Sequence, residues 1–164
     1  MKGTSRMTTT RRRDFIATLA AAAGAGTCLC AAGGCATFTK VGRTPAIAAG
    51  AYDIDGRTVR IRLEQVPDLA TVGGAVKMTD ARLPEPIIVG RMGEAEYVAL
   101  SLRCPHRGVE VEYRHKAGDF RCASLGYSTF GRDGARKSGF ARKPLRRFDA
   151  KLVRDGGATL TLTV

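Results

Sequence analysis

Between residues 59 and 64 apolar and charged side chains alternate strictly: Val59, Ile61 and Leu63 against Arg60, Arg62 and Glu64. Successive side chains of a strand leave opposite faces of a sheet, so a period of two marks a strand with one buried face. Further strand-like runs follow at short spacings: Ala75 to Met78, Ile87 to Val89, and Tyr97 to Leu102. Met92-Gly93-Glu94 separates the last two and predicts a hairpin. Val109, Val111 and Tyr113 alternate with Glu110 and Glu112, and a closing strand on Leu160, Leu162 and Val164 follows Asp155-Gly156-Gly157. No stretch beyond residue 50 holds a helical period for three turns. The pattern predicts an all-β domain, a small antiparallel sandwich or barrel, interrupted by two loop-rich insertions around cysteines. With tryptophan absent, its core must rest on Val, Ile, Leu and Ala.

A chain of 164 residues accommodates one such domain after an N-terminal segment. The predicted organisation is a signal or anchor over 1–36, a linker over 37–49 containing Gly, Pro and Ala, and the β domain over 50–164. Of the net charge of +12, Lys2, Arg6, Arg11, Arg12 and Arg13 against Asp14 place +4 in the first 35 residues, leaving +8 for the rest. A basic surface attracts polyanions or an acidic protein. No nucleic-acid motif and no basic strand interleaved with aromatics accompanies it, so nucleic acid is excluded in favour of an acidic protein partner.

The N-terminal segment has the layout of an export signal: basic residues up to Arg13, then an uncharged Ala- and Gly-rich run from Phe15. Arg12-Arg13-Asp14-Phe15-Ile16 resembles the twin-arginine signal Ser/Thr-Arg-Arg-x-Phe-Leu-Lys, with Arg11 at the Ser/Thr position and Ala17 at the lysine. Three fates stay open. Ala32-Gly33-Gly34-Cys35 loosely resembles a lipoprotein box, which would acylate Cys35. The leader is otherwise cut without an anchor, or kept as a span. All three place the domain outside the cytoplasm.

The five cysteines divide into Cys28, Cys30 and Cys35 in the leader and Cys104 and Cys122 in the body. That distribution does not predict a disulfide scaffold. Cys104-Pro105-His106-Arg107-Gly108 puts a thiol and an imidazole on one tight loop, and Cys122-Ala123-Ser124-Leu125-Gly126 offers a second thiol. Cys104, His106 and Cys122 are the candidate metal ligands, a set suited to zinc or to an iron–sulfur cluster.

These segments resemble the Rieske family, whose pattern is Cys-x-His, about fifteen to seventeen residues, then Cys-x-x-His. Tyr97 to Gly108 resembles the family's first cluster loop with its approach strand, and Gly118 to Cys122 the approach to the second. Ser138-Gly139-Phe140-Ala141-Arg142-Lys143-Pro144-Leu145 is similar to the loop that covers the cluster. The resemblance implies a [2Fe-2S] cluster, one-electron transfer in the cell envelope, and a redox protein partner such as a cytochrome or an oxidoreductase subunit. It implies a carrier or subunit more than a stand-alone enzyme.

The chain departs from the pattern at several positions. The second motif's histidine position is Leu125, which cannot coordinate. Water, a substrate group, Tyr127 or Ser128 are the donors left to fill it, and none is marked by spacing. His115, the other histidine, reads as an exposed spacer residue. The positions of the family's loop-stapling disulfide are Val109 and Ser124, and the family's His-Gly-Ser-x-Tyr becomes Leu125-Gly126-Tyr127-Ser128-Thr129-Phe130. Fewer hydroxyl donors imply a lower potential, with Ser128 a partial substitute. The rival expectation is a Rieske fold that has lost its cluster and serves as a binding or structural module, with a Cys104–Cys122 disulfide. A mononuclear zinc site on the same three residues is the third.

Overall fold

The computed structural model describes residues 42–125 and 127–164. The expectations for the leader therefore lie outside the described residues. Eleven strands form two antiparallel sheets, with no α-helix among the described residues. They are β1 (Tyr52–Asp55), β2 (Thr58–Arg62), β3 (Ala75–Met78), β4 (Ile87–Arg91), β5 (Tyr97–Ser101), β6 (Val111–Arg114), β7 (Asp119–Cys122), β8 (Thr129–Phe130), β9 (Arg136–Ser138), β10 (Arg147–Arg154) and β11 (Ala158–Thr163). The larger sheet runs β1-β2-β11-β10-β5-β4-β3 and the smaller β6-β7-β8-β9.

The alternation from Val59 is β2, with Val59 and Ile61 fully buried; it stops at Arg62, and Leu63–Gln65 turns as a 3-10 segment. The hairpin around Met92-Gly93-Glu94 joins β4 and β5, from Ile87 opposite Ser101 to Arg91 opposite Tyr97. Both strands are buried on two faces. Ile87, Val89 and Ala99 enter one core, with Val59, Ile61, Leu160 and Leu162. Ile88, Val98 and Leu100 enter a second core under the smaller sheet. This explains why these runs read as continuously apolar. The second core also contains Leu102, Val111, Phe120 and Phe130 together with Cys104 and Cys122, so the candidate ligands grow out of packed structure.

The longest strand, β10, is absent from the sequence expectation. Phe148 is buried and Ala150 and Leu152 half-buried, while Arg147, Asp149 and Lys151 are exposed. Its first residues pair with β5 and the rest with β11, which joins the two halves of the larger sheet.

Residues 42–48, within the stretch expected to be a linker, form a strap across both sheets. Lys77 N–H donates to Pro45 O at 2.7 Å and Ile47 N–H to Lys77 O at 2.9 Å, adding a bridge to β3. On the other side Tyr113 N–H donates to Thr44 Oγ1 at 3.0 Å and Arg43 N–H to Glu112 Oε2 at 3.2 Å.

Candidate metal centre

Three loops meet at one end of the smaller sheet. The first leaves β5 and returns to β6, with Arg103 and Glu110 bridged across its base. Cys104 N–H donates to Val109 O at 2.8 Å, and Gly108 N–H returns to Cys104 O at 2.7 Å. Closing so tight a turn takes Gly108 to φ +68°, where a side chain is strained. Pro105 stiffens the approach to His106 by fixing its own φ.

The second loop starts where β7 ends. Cys122 N–H donates to Ser128 O at 2.8 Å, and Ala123 N–H crosses to Glu110 O at 2.9 Å, joining this loop to the first. The third loop follows β9. Arg136 holds it by donating to Ala141 O and Gly139 O, and Ala141 N–H donates to Ser128 Oγ at 2.8 Å. Gly139 sits at φ +87°, and a β-carbon there would lie 2.4 Å from Ser128 Cα, so only glycine lets the two loops touch.

These loops bring the three sequence-predicted ligands together. The donor atoms of Cys104, His106 and Cys122 all lie within 4.8 Å of one another. Both cysteines are free and buried, and His106 is half-buried with Nδ1 3.8 Å from Cys104 Sγ. Burial pushes the Cys104 thiol up to about 11, and neighbouring Cys122 adds to the rise; the His106 backbone N–H and the Ser128 hydroxyl oppose it. Without a metal, the residue is a neutral thiol at physiological pH.

Leu125 is 75% exposed, three residues beyond Cys122 on the second loop. His115 is remote from this group. β6 and β7 run from the three loops to the turn that holds His115, where its Nδ1 meets Gly73 O at 2.8 Å. Tyr127 lies under the Arg121 guanidinium, 4.9 Å from ring centroid to carbon, and Arg121 is itself paired with Glu112. The Ser128 hydroxyl is fully buried and engaged by Ala141 N–H.

Two contacts are not marked in the sequence. Phe140 stacks on the His106 ring at 6.1 Å between centroids while itself 69% exposed. Beside this pair, Pro105, Arg142 and Lys143 complete a shallow cleft of about 330 Å³. Ser124 makes the other unexpected contact, placing Oγ 3.2 Å from Cys122 Sγ.

No family model matches the chain. The carotenoid phi-ring synthase of Chlorobaculum tepidum is 34% identical over 113 residues, which are 69% of this chain and 16% of that protein, so this chain spans about a sixth of its relative. The crystal structure of a plasma membrane Rieske protein from the cyanobacterium Synechocystis PCC 6803 aligns with a TM-score of 0.46 and 21% identity, over 55% of this chain and 86% of that one. The chain thus has an all-β body in which a Cys-x-His loop and a second Cys loop close on one donor cluster, the arrangement that its resemblance to the Rieske family implies. Its second motif is degenerate, with Leu125 where the pattern has histidine.

Proposed function

We propose that this chain is an exported Rieske-type iron–sulfur protein, a one-electron carrier of the cell envelope holding a [2Fe-2S] cluster on an incomplete ligand set. The observation that carries this reading is the convergence of Cys104, His106 and Cys122 within 4.8 Å. Two thiols and an imidazole are the donor chemistry of a mixed-ligand two-iron cluster, which supplies a one-electron redox centre at a higher potential than the all-cysteine kind. The described residues fit three of its four ligands, and the fourth coordination position falls to water or an outside donor.

The chain's own residues would divide the work by burial. Cys104 and Cys122 lie in the second core and exclude water from their side of the site. His106 is the donor nearest solvent, held against Phe140. Phe140 is itself exposed, and the exposed Arg142 and Lys143 line the same cleft as this pair. An exposed apolar ring beside basic side chains suits an acidic redox partner, such as a cytochrome or an oxidoreductase subunit, drawn in by charge and seated by contact. The twin-arginine-like leader supports delivery of an already folded domain outside the cytoplasm, free or membrane-anchored.

Leu125 favours a second reading, a cluster-free binding or structural module in which the neighbouring Cys104 and Cys122 form a disulfide. One experiment separates the two. Purified anaerobically from the cytoplasm, the carrier contains two irons and two acid-labile sulfides per chain and gives a Rieske-like EPR signal on reduction. Iron-free protein with a Cys104–Cys122 disulfide establishes the module instead, and stoichiometric zinc would sink both readings.

A further inference from the structure

The Ser124 hydroxyl is placed to act on a ligand sulfur. Ser124 is 8% exposed, and its Oγ has Cys122 Sγ as its hydrogen-bond partner at 3.2 Å. Every buried side-chain nitrogen and oxygen among the described residues has a partner, so this contact satisfies the serine. When Cys122 is a metal-bound thiolate its sulfur has no proton to give. The bond then has one possible direction, from Ser124 O–H to sulfur.

The neighbouring sulfur has a counterpart arrangement. Ser128 Oγ accepts the Ala141 N–H at 2.8 Å, which leaves its own proton free for Cys104, where it favours the thiolate. Each ligand cysteine is thus attended by one buried hydroxyl from the same loop. Ser128 lies in the segment already read as a source of donors. Ser124 occupies the position read as a lost disulfide staple, and its partner position, Val109, offers nothing for it to bond.

We propose that Ser124 is a redox-tuning residue, donating a hydrogen bond to the Cys122 thiolate and raising the reduction potential of the bound cluster. This rests on the function proposed above. Reduction adds one electron and increases negative charge on the ligand sulfurs. A donor aimed at sulfur stabilises that charge more in the reduced than in the oxidised state, so equilibrium moves toward reduction. Ser124 acts through Cys122 and is a positioning residue, with no contact of its own to a redox partner required.

The test uses the full chain carrying iron. Ser124→Ala should shift the midpoint potential downward and alter the reduced EPR signal, with iron and sulfide content unchanged. Ser124→Thr keeps a hydroxyl and should return the potential toward that of the parent, a rescue that a purely space-filling role would not produce. If Ser124→Ala releases its iron, Ser124→Thr still decides the matter: iron retained at the parental potential supports the donor role, and a lowered potential overturns it. An unchanged potential in iron-loaded Ser124→Ala overturns the inference while leaving the carrier reading intact. A parent chain without iron overturns both.

Discussion

Lys77 Nζ lies 2.8 Å from Glu110 Oε2, an ion pair with 13% and 27% of the two side chains exposed. The same carboxylate oxygen accepts Gly42 N–H at 3.0 Å, and the Glu110 carbonyl accepts Ala123 N–H at 2.9 Å. One residue therefore ties the strap, β3 and both ligand-bearing loops. It does so beside Val109 and, through Ala123, beside Ser124, the positions that match the disulfide of the Rieske pattern. Noncovalent bonds join the two loops here.

Lys77→Met should accordingly destabilise the domain by about 2 kcal/mol, since it leaves a half-buried carboxylate without its cation. Urea unfolding measures the loss. Adding Glu110→Gln to Lys77→Met removes the stranded charge and should recover part of it. A single Lys77→Met variant as stable as the parent would mean that the backbone bonds alone hold the loops.

Gly139→Ala tests the contact between the second and third loops. A β-carbon 2.4 Å from Ser128 Cα and 2.7 Å from Tyr127 O faces backbone, which cannot swing aside, and φ is +87°. Strain of both kinds should cost about 2 kcal/mol or more. Because Ser128 is the residue displaced, loss of metal should accompany loss of stability. Melting temperature and iron content measured together would show the two falling in parallel.

Alkaline pH gives a third prediction, for the metal-free domain. Burial raises the folded Cys104 thiol to about 11, above its ordinary value of 9.0. Between those values the unfolded chain releases a proton that the folded chain keeps. The cysteine's contribution is therefore full below pH 9 and lost as pH rises toward 11. The melting temperature should fall across that window, and Cys104→Ser should remove this component of the fall. Alkylation of Cys104 should be slow at pH 8.

The strands with clean alternation or continuous apolar runs were legible because burial on one face or two leaves a direct mark on residue order. β10 shows the limit. Phe148, Ala150 and Leu152 carry the same period, but they follow a run dense with arginine and lysine, and only Phe148 is fully sheltered. The strap was harder still. Its anchoring bonds are mostly backbone N–H groups and carbonyls at Gly42, Arg43, Pro45 and Ile47, which any sequence possesses. At the site, Cys104, His106 and Cys122 were legible because spacing and residue type are chemically specific. Ser124 was visible as a departure from pattern, yet its contact with Cys122 depends on loop geometry. The Phe140–His106 stack joins residues 34 positions apart, beyond the reach of local reasoning.

Arg142 and Lys143 border the cleft that holds His106 and Phe140, and both are exposed. Reversing both charges should slow association with an acidic redox partner by about tenfold or more at low salt, with little change in stability. Stopped-flow electron transfer across a salt series gives the reading. The parent's rate should fall steeply with ionic strength, while Arg142→Glu with Lys143→Glu should flatten or invert the slope. Equal slopes would move the docking surface elsewhere.

Leu125→His addresses the missing ligand directly. Leu125 is 75% exposed, so exchanging it removes little buried surface, and stability should change by no more than about 0.5 kcal/mol. An imidazole here adds a nitrogen donor on the same loop as Cys122, at an exposed position three residues further on. Iron content should rise and the cluster should survive longer in air, and the EPR signal should move toward that of a cluster with two histidine ligands. The loop bears one residue more than the family pattern before its closing aromatic position, Phe130. If that extra residue has shifted position 125 out of register, the new histidine will titrate as a free surface imidazole near pH 6.5 and iron content will not change. Iron analysis beside a histidine titration therefore decides whether the second loop still follows the family's geometry.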